Sequence, residues 1–301
     1  MEHRFGGPWT EDKLKRIDDY LKAYMKIFKG KTAASKLRTY YVDAFAGTGR
    51  RSSPVAEDRA EGSLFEDALG DADASSLKEG SAYVALRQKQ PFDHYVFVDR
   101  IPEHADNLNK LREEFPGLAS RISIKVADAN TFLQGWCHDT DWKGNRAVVF
   151  LDPYGMQVDW ATIEAIARTK AIDLWLLFPL GQAVNRLLTR RHVPEGAHAE
   201  RLTRLFGTEE WRDAFYKALN EDTDRPTLFD IDYGSHAKQA NFDAIGNFFV
   251  ERLKTVFAGV AENPLPLRNS TNVPLYLLCF AAANPVGAPT AVRIANHILR
   301  P

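Results

Sequence analysis

The stretch YVDAFAGTGR, residues 41–50, decides how the rest of the chain is read. An apolar run ends in Asp43 and breaks at once into Ala46-Gly47-Thr48-Gly49. A buried strand that feeds a glycine turn is the opening of a nucleotide-type cofactor site in an open α/β sheet. Upstream, WTEDKLKRIDDYLKAYMKIFKG predicts a helix, with Thr10 as N-cap and Gly30 as stop. Its residues Leu14, Ile17, Leu21, Tyr24 and Phe28 recur at helical spacing. Downstream, the polar stretch after the glycine turn is long for a loop. It is expected to be an insert over about 52–80, either a lid or an ordered surface excursion.

Beyond the insert the chain alternates. SAYVALRQ, PEHADNLNKLREEF, NTFLQGW, DWATIEAIART and GQAVNRLLTRR predict helices. HYVFVDR, RISIKVADA, RAVVFLDPYG and AIDLWLLFPL predict strands. Alternation of this length implies a mostly parallel, doubly wound α/β sheet with helices on both faces. Strands buried on both faces read as continuous apolar runs, as in AVVFL and LWLLF. Over about 190–260 the pattern turns helical, with no strand expected, and predicts an added helical lobe. VPLYLLCFAAANPVG then predicts a late strand, and APTAVRIANHIL a closing helix. The organisation expected is an N-terminal helical segment over 1–40 and one Rossmann-like domain over 41–301.

Composition narrows the function. With 301 residues, 45% of them apolar and 26% charged, the chain reads as an ordinary globular protein. A net charge of -1 gives no global attraction to nucleic acid or anionic lipid, so any basic site must be local. The two cysteines, Cys137 and Cys279, form no CxxC pair, which argues against a zinc site or a disulfide framework and for reduced thiols in the cytoplasm. No apolar run of about 18 residues occurs, so no membrane span is expected.

Four acids stand at four successive strand ends: Asp43, Asp99, Asp128 and Asp152. A single aspartate after a strand is usually a turn or helix cap. Four in register, headed by a glycine turn, point to a ligand beyond the carboxyl edge of the sheet. Gly47 and Gly49 allow a tight turn and close approach of backbone to ligand. Asp99 suits two ribose hydroxyls, and Asp128 an adenine amino group. Asp43 either faces a positive part of the ligand or orders the turn. Phe45, Arg100 and Ala129 flank these positions and complete the candidate cofactor set.

GTGRRS places Ser52 where a dinucleotide fingerprint needs its third glycine, which weakens a nicotinamide reading. A GxG turn with three later acids resembles the S-adenosylmethionine (SAM) site of class I methyltransferases. FLDPYG, residues 150–155, carries the most specific signal. It is similar to the strand-end Asp/Asn-Pro-Pro-Tyr/Phe motif of methyltransferases that modify exocyclic amino groups of bases. It lacks the second proline and looks more like the Asp-Pro-Phe-Gly motif of tRNA guanine-N2 methyltransferases. The resemblance implies that Asp152 and Pro153 orient an amino group and that Tyr154 stacks on the base, for direct SN2 transfer. The alternative reading is a strand-to-helix turn set by Pro153. Neither cysteine matches a covalent nucleophile. Arg186, Arg190, Arg191, Arg201 and Arg204, with Arg50 and Arg51, form either a phosphate-following face or solvated helix surfaces paired with Glu195 and Glu200. The histidines lack metal-ligand spacing, and no metal is expected; His94, His104 and His236 read as surface or capping residues.

WTEDKLKRIDDYLKAY, YYVDAFAGTGR, YVFVDRIPEHADNL, VVFLDPYG, FFVERLKTVF and LYLLCFAAANPVG together resemble the three-Cys-motif partner family. The resemblance spans nearly the whole chain. It implies a class I methyltransferase-like fold and a cysteine-rich partner of radical-SAM type. The expected function is SAM-dependent N-methylation of a nucleobase in DNA or RNA. A small-molecule or peptide methyltransferase and a non-catalytic scaffold for the partner are the rivals.

Overall fold

A computed structural model describes residues 8–30, 33–48, 80–218 and 236–300. Gly49, Arg50, Arg51 and nearly all of the expected insert lie outside these residues.

Helix α1 (Pro8–Phe28) leads into strand β1 (Arg38–Asp43). The chain then runs through α2 (Ser81–Leu86), β2 (His94–Asp99), α3 (Pro102–Glu114), β3 (Ile122–Val126) and α4 (Ala129–Asp139). Next come β4 (Asn145–Leu151), α5 (Trp160–Arg168) and β5 (Ile172–Phe178). After β5 lie a π-helical turn (Leu180–Val184), α6 (Gly196–Phe206), α7 (Trp211–Phe215) and the short pair β6 (Tyr216–Ala218) and β7 (His236–Lys238). The chain closes through α8 (Phe242–Lys254), β8 (Gly259–Val260), β9 (Leu265–Arg268), β10 (Pro274–Ala282) and α9 (Ala288–Ile298).

The main sheet has the order β3-β2-β1-β4-β5-β10-β8, with β9 also paired to β10. The first five strands in that order are mutually parallel, and β10 is antiparallel to β5. The expected mostly parallel, doubly wound sheet is therefore what forms. The antiparallel β10 next to β5 departs from the dinucleotide order, in which a sixth parallel strand follows the fifth. Period-2 alternation divides each inner strand between two cores. Val42, Val149 and Leu151 pack with Leu133 of α4, Ile163 of α5 and Phe249 of α8. Tyr41, Val148 and Phe150 pack on the other face with Tyr20 and Leu21 of α1 and Leu108 of α3. Both faces are buried, which is why these strands show no polar alternation.

Helix α1, within the expected N-terminal helical segment, packs on the sheet through the fully buried Ile17 and Leu21. Several expectations are corrected. Thr10 lies inside α1 rather than capping it; the helix starts at Pro8, whose fixed φ suits a first turn. The region expected to be wholly helical contains β6 and β7, antiparallel with Tyr216 opposite Lys238. Strands of three residues are too short to show a period. GQAVNRLLTRR is not a regular helix: a π-turn comes first, followed by a three-residue helix over Asn185–Leu187. Gly181 explains the position of the turn. A Cβ there would stand 2.1 Å from the Pro274 carbonyl oxygen, so only glycine lets the turn pack on β10. Among the described residues no helix is long and apolar enough to cross a membrane.

Candidate active-site cleft

Because β1 to β4 are parallel, their carboxyl ends share one edge, and the loops beyond it wall a cleft of about 510 Å3. Of the residues singled out in the sequence, Phe45, Asp99, Arg100, Asp128, Ala129, Asp152 and Tyr154 line this cleft. Asp43, Gly47 and Pro153 do not.

Asp43 lies beneath the turn and is wholly buried. It accepts from the Phe45 N–H at 3.2 Å and from the Ser81 hydroxyl. Of its two expected roles, it takes that of ordering the turn. Burial pushes its carboxyl up to about 7; the Ser81 hydrogen bond opposes the rise and the Asp152 carboxylate adds to it. Gly47 adopts φ 55° and donates its N–H to Asp99 Oδ2 at 2.8 Å. Asp99 Oδ1 also accepts from the Ile101 N–H at 2.9 Å and from His104 Nδ1 at 3.0 Å. A carboxylate offers about four acceptor sites, so Asp99 can take one further hydroxyl rather than the expected two while these contacts hold.

Asp128 is the N-cap of α4. Its Oδ1 accepts from the Thr131 N–H at 2.9 Å and the Thr131 hydroxyl at 3.1 Å, and Oδ2 remains for a ligand. Capping and lining therefore coexist at this position. The loop after β4 is held from α4: Asn130 donates to the Gln157 carbonyl at 2.8 Å and accepts from the Asp159 N–H at 2.9 Å. Gln157 Oε1 in turn accepts from the Tyr154 N–H at 2.9 Å. Pro153 is buried, while the Tyr154 ring stands 57% exposed at the rim.

Lys13 of α1 is a site residue that motif reading did not find. Its side chain is only 6% exposed and its ammonium forms an ion pair with Asp152 Oδ2. The same ammonium lies 5.5 Å from the Trp9 ring centroid, and Trp9 stacks on Tyr276. A signal was present, since Trp9, Lys13, Ile17, Tyr20 and Tyr24 occupy one helical face that is otherwise aromatic and apolar. His104, expected to be a surface or capping residue, also lines the cleft. His94 stacks on Tyr40 at 4.5 Å, away from the cleft, and the side chain of His236 lies outside the described residues.

Of the expected basic face, Arg201 and Arg204 reach the cleft, and Arg186, Arg190 and Arg191 do not line it. Arg204 pairs with Asp159 at 2.9 Å rather than with Glu195 or Glu200. Burial raises the Asp159 carboxyl against the pull of that guanidinium, and Asp128 adds to the rise. Both cysteines are buried. Burial pushes the Cys137 thiol up to about 12 and the Cys279 thiol higher still, which removes any thiolate nucleophile near neutral pH. Among the described residues no three His, Cys, Asp or Glu side chains gather to hold a metal ion.

No protein-family model and no curated protein matches the chain. Among solved structures, a protein from Legionella pneumophila aligns over 99% of this chain and 92% of its own, at 13% identity and a TM-score of 0.47. Magnesium protoporphyrin IX methyltransferase from Synechocystis, crystallised with bound SAH, aligns over 91% of this chain and 86% of its own, at 12% identity and a TM-score of 0.34. At these identities and with TM-scores below 0.5, neither likeness assigns a fold or an activity to this chain.

Proposed function

We propose that the protein is a SAM-dependent N-methyltransferase of the cytoplasm that acts on an exocyclic amino group of a nucleobase in DNA or RNA. One observation carries the reading: Asp99, Asp128, Asp152 and Tyr154 line a single cleft at the carboxyl edge of the sheet. The chemistry of this set fits a nucleoside cofactor. Asp99 retains capacity for a ribose hydroxyl and Asp128 Oδ2 for an adenine amino group. Phe45 and Ala129 supply apolar lining. Ser52 stands where a dinucleotide fingerprint needs its third glycine, which separates this reading from a nicotinamide enzyme.

When bound, SAM supplies an activated methyl group on a sulfonium. The chain's own residues position the acceptor. Lys13 holds Asp152 Oδ2 and so fixes the carboxylate, leaving Oδ1 to accept an N–H of the acceptor amine. An amine so held presents its lone pair in one direction, and positioning of this kind supplies much of the barrier reduction in a bimolecular transfer. Tyr154, held at its N–H by Gln157, offers a stacking face worth about 1–3 kcal/mol per base.

The ion pair also favours a second reading. A carboxylate already engaged by a buried ammonium has less to offer a substrate. This supports a scaffold that keeps the cleft but lacks transfer, with the cysteine-rich partner of the resembled family supplying the chemistry. Calorimetric titration with SAM, S-adenosylhomocysteine and NAD separates the readings. The adenosyl compounds bind at micromolar levels, NAD does not, and Asp99→Ala weakens binding at least tenfold. Methyl transfer to unmodified tRNA or DNA then distinguishes enzyme from scaffold. Absence of adenosyl binding would refute the methyltransferase reading and leave the scaffold.

A further inference from the structure

Seven buried side-chain polar atoms lack a hydrogen-bond partner among the described residues, and only one of them, Gln182 Oε1, belongs to a residue that lines the cleft. Gln182 is 3% exposed. Its backbone is fixed: the Pro179 carbonyl accepts from both the Ala183 N–H at 3.2 Å and the Val184 N–H at 3.0 Å, and Gly181 is seated on Pro274. An acceptor buried without a partner costs stability, and the π-turn that carries it is a geometry found often at functional sites. The cleft has room for a ligand group, and the Oε1 acceptor has no bond to give up on binding it.

The sheet order says which half of the ligand this is. The cofactor acids follow β2 and β3, whereas Gln182 follows β5, three strands away from β2. At about 4.8 Å per strand the separation is roughly 14 Å, so Gln182 belongs to the acceptor half, beside Asp152 at the end of β4. Two further features line the same cleft. Tyr154 stands exposed at the rim, and Arg201 and Arg204 lie one turn apart on α6. Arg204 is engaged by Asp159, and Arg201 is exposed.

We propose that Gln182 and Arg201 form the acceptor subsite, with Gln182 Oε1 accepting an N–H from the edge of an extruded base and Arg201 contacting its phosphate. The proposal rests on the reading of the cleft as a base-modifying site and names the ligand as a single-stranded nucleotide unit. A carboxamide offers both acceptor and donor to a base edge, which is how glutamine reads bases. A flipped base is held by that edge and by stacking.

The test uses Gln182→Met and Arg201→Ala in the full chain. The probe is a fluorescein-labelled single strand of roughly 12 nucleotides, as RNA and as DNA, within the span of one single-strand binding domain. Gln182→Met removes the unpaired acceptor at similar volume, so its Tm is expected to rise by about 2 °C. Its affinity for the strand falls about tenfold, and SAM binding stays as in wild type. Arg201→Ala weakens binding of all sequences alike and lowers the salt slope by about one. A lower Tm with unchanged strand binding in Gln182→Met would make the residue structural and overturn the proposal. Unchanged binding in Arg201→Ala, or competition by an acidic peptide but not by the strand, would overturn it as well. Wild type that binds the strand but not SAM would sink the methyltransferase reading and leave the subsite standing.

Discussion

The pH dependence of stability is where the buried Asp43 should show itself. Its carboxyl rises from 3.8 to about 7 on folding, chiefly because burial penalises the charged form. Between about pH 4 and 7 the folded chain therefore holds a proton that the unfolded chain has released. Stability from this group is complete below about pH 4 and is lost as pH rises through about 7. At 1.36 kcal/mol per decade the span corresponds to about 4 kcal/mol. Asp43→Asn is uncharged at every pH; its amide oxygen accepts from the Phe45 N–H in place of Oδ1, and its NH2 donates to the Ser81 oxygen in place of Oδ2. It should match wild type near pH 4 and exceed it by about 4 kcal/mol at pH 8. Urea unfolding of both proteins at half-unit steps from pH 4.5 to 8 measures this. Asp173, raised by burial to about 7, adds a similar slope to both proteins and so cancels in the difference. Parallel curves for the two proteins would refute the reasoning, because they would mean that Asp43 titrates alike in the folded and unfolded chain.

Two further outcomes follow from the site. Lys13→Met removes one member of a pair whose Asp152 partner is 28% exposed. Breaking a fully buried pair costs roughly 3–5 kcal/mol, and water reaching Asp152 lowers the expectation to about 2 kcal/mol. Adding Asp152→Asn should restore part of that loss, as a double-mutant cycle in denaturant would show. Gly47→Ala finds open space for its Cβ but must adopt φ 55°, a strain of about 1–2 kcal/mol. Its Tm should fall, and its SAM affinity should fall with it, since the Gly47 N–H bond to Asp99 depends on that turn.

What could be read from the sequence was what the sheet repeats locally. Each acid was legible because it ends an apolar run, and a run buried on both faces needs no alternating pattern to be recognised. Asp128 shows the limit of that reading: strand-end position is common to a helix cap and a ligand contact, and the residue turned out to be both. The Lys13–Asp152 pair joins residues 139 positions apart, and no local pattern encodes such a contact. Gln182 was hidden because its segment reads as a helix. Its packing is set by the approach of Gly181 to Pro274, a contact between distant segments. The strands β6 and β7 fail for a plainer reason, since three residues span too little of a period.

The four strand-end acids are unequal in the acceptor capacity they leave for a ligand. Asp43 spends its oxygens on Phe45 and Ser81 and does not line the cleft. Asp99 has three acceptor contacts within the chain and capacity for about one more. Asp128 commits only Oδ1, and Asp152 only Oδ2. Acceptor capacity left for a ligand is therefore absent beneath β1, slight at β2, and open at the ends of β3 and β4. A ligand whose donors are a ribose hydroxyl, an adenine amino group and an acceptor amine meets these three acids in that order. The carboxylate at the end of β4 is also the one a buried ammonium holds fixed. An unpaired carboxylate would be free to turn toward any donor; this one is constrained to offer one oxygen in one direction, which is what a transfer limited by positioning requires.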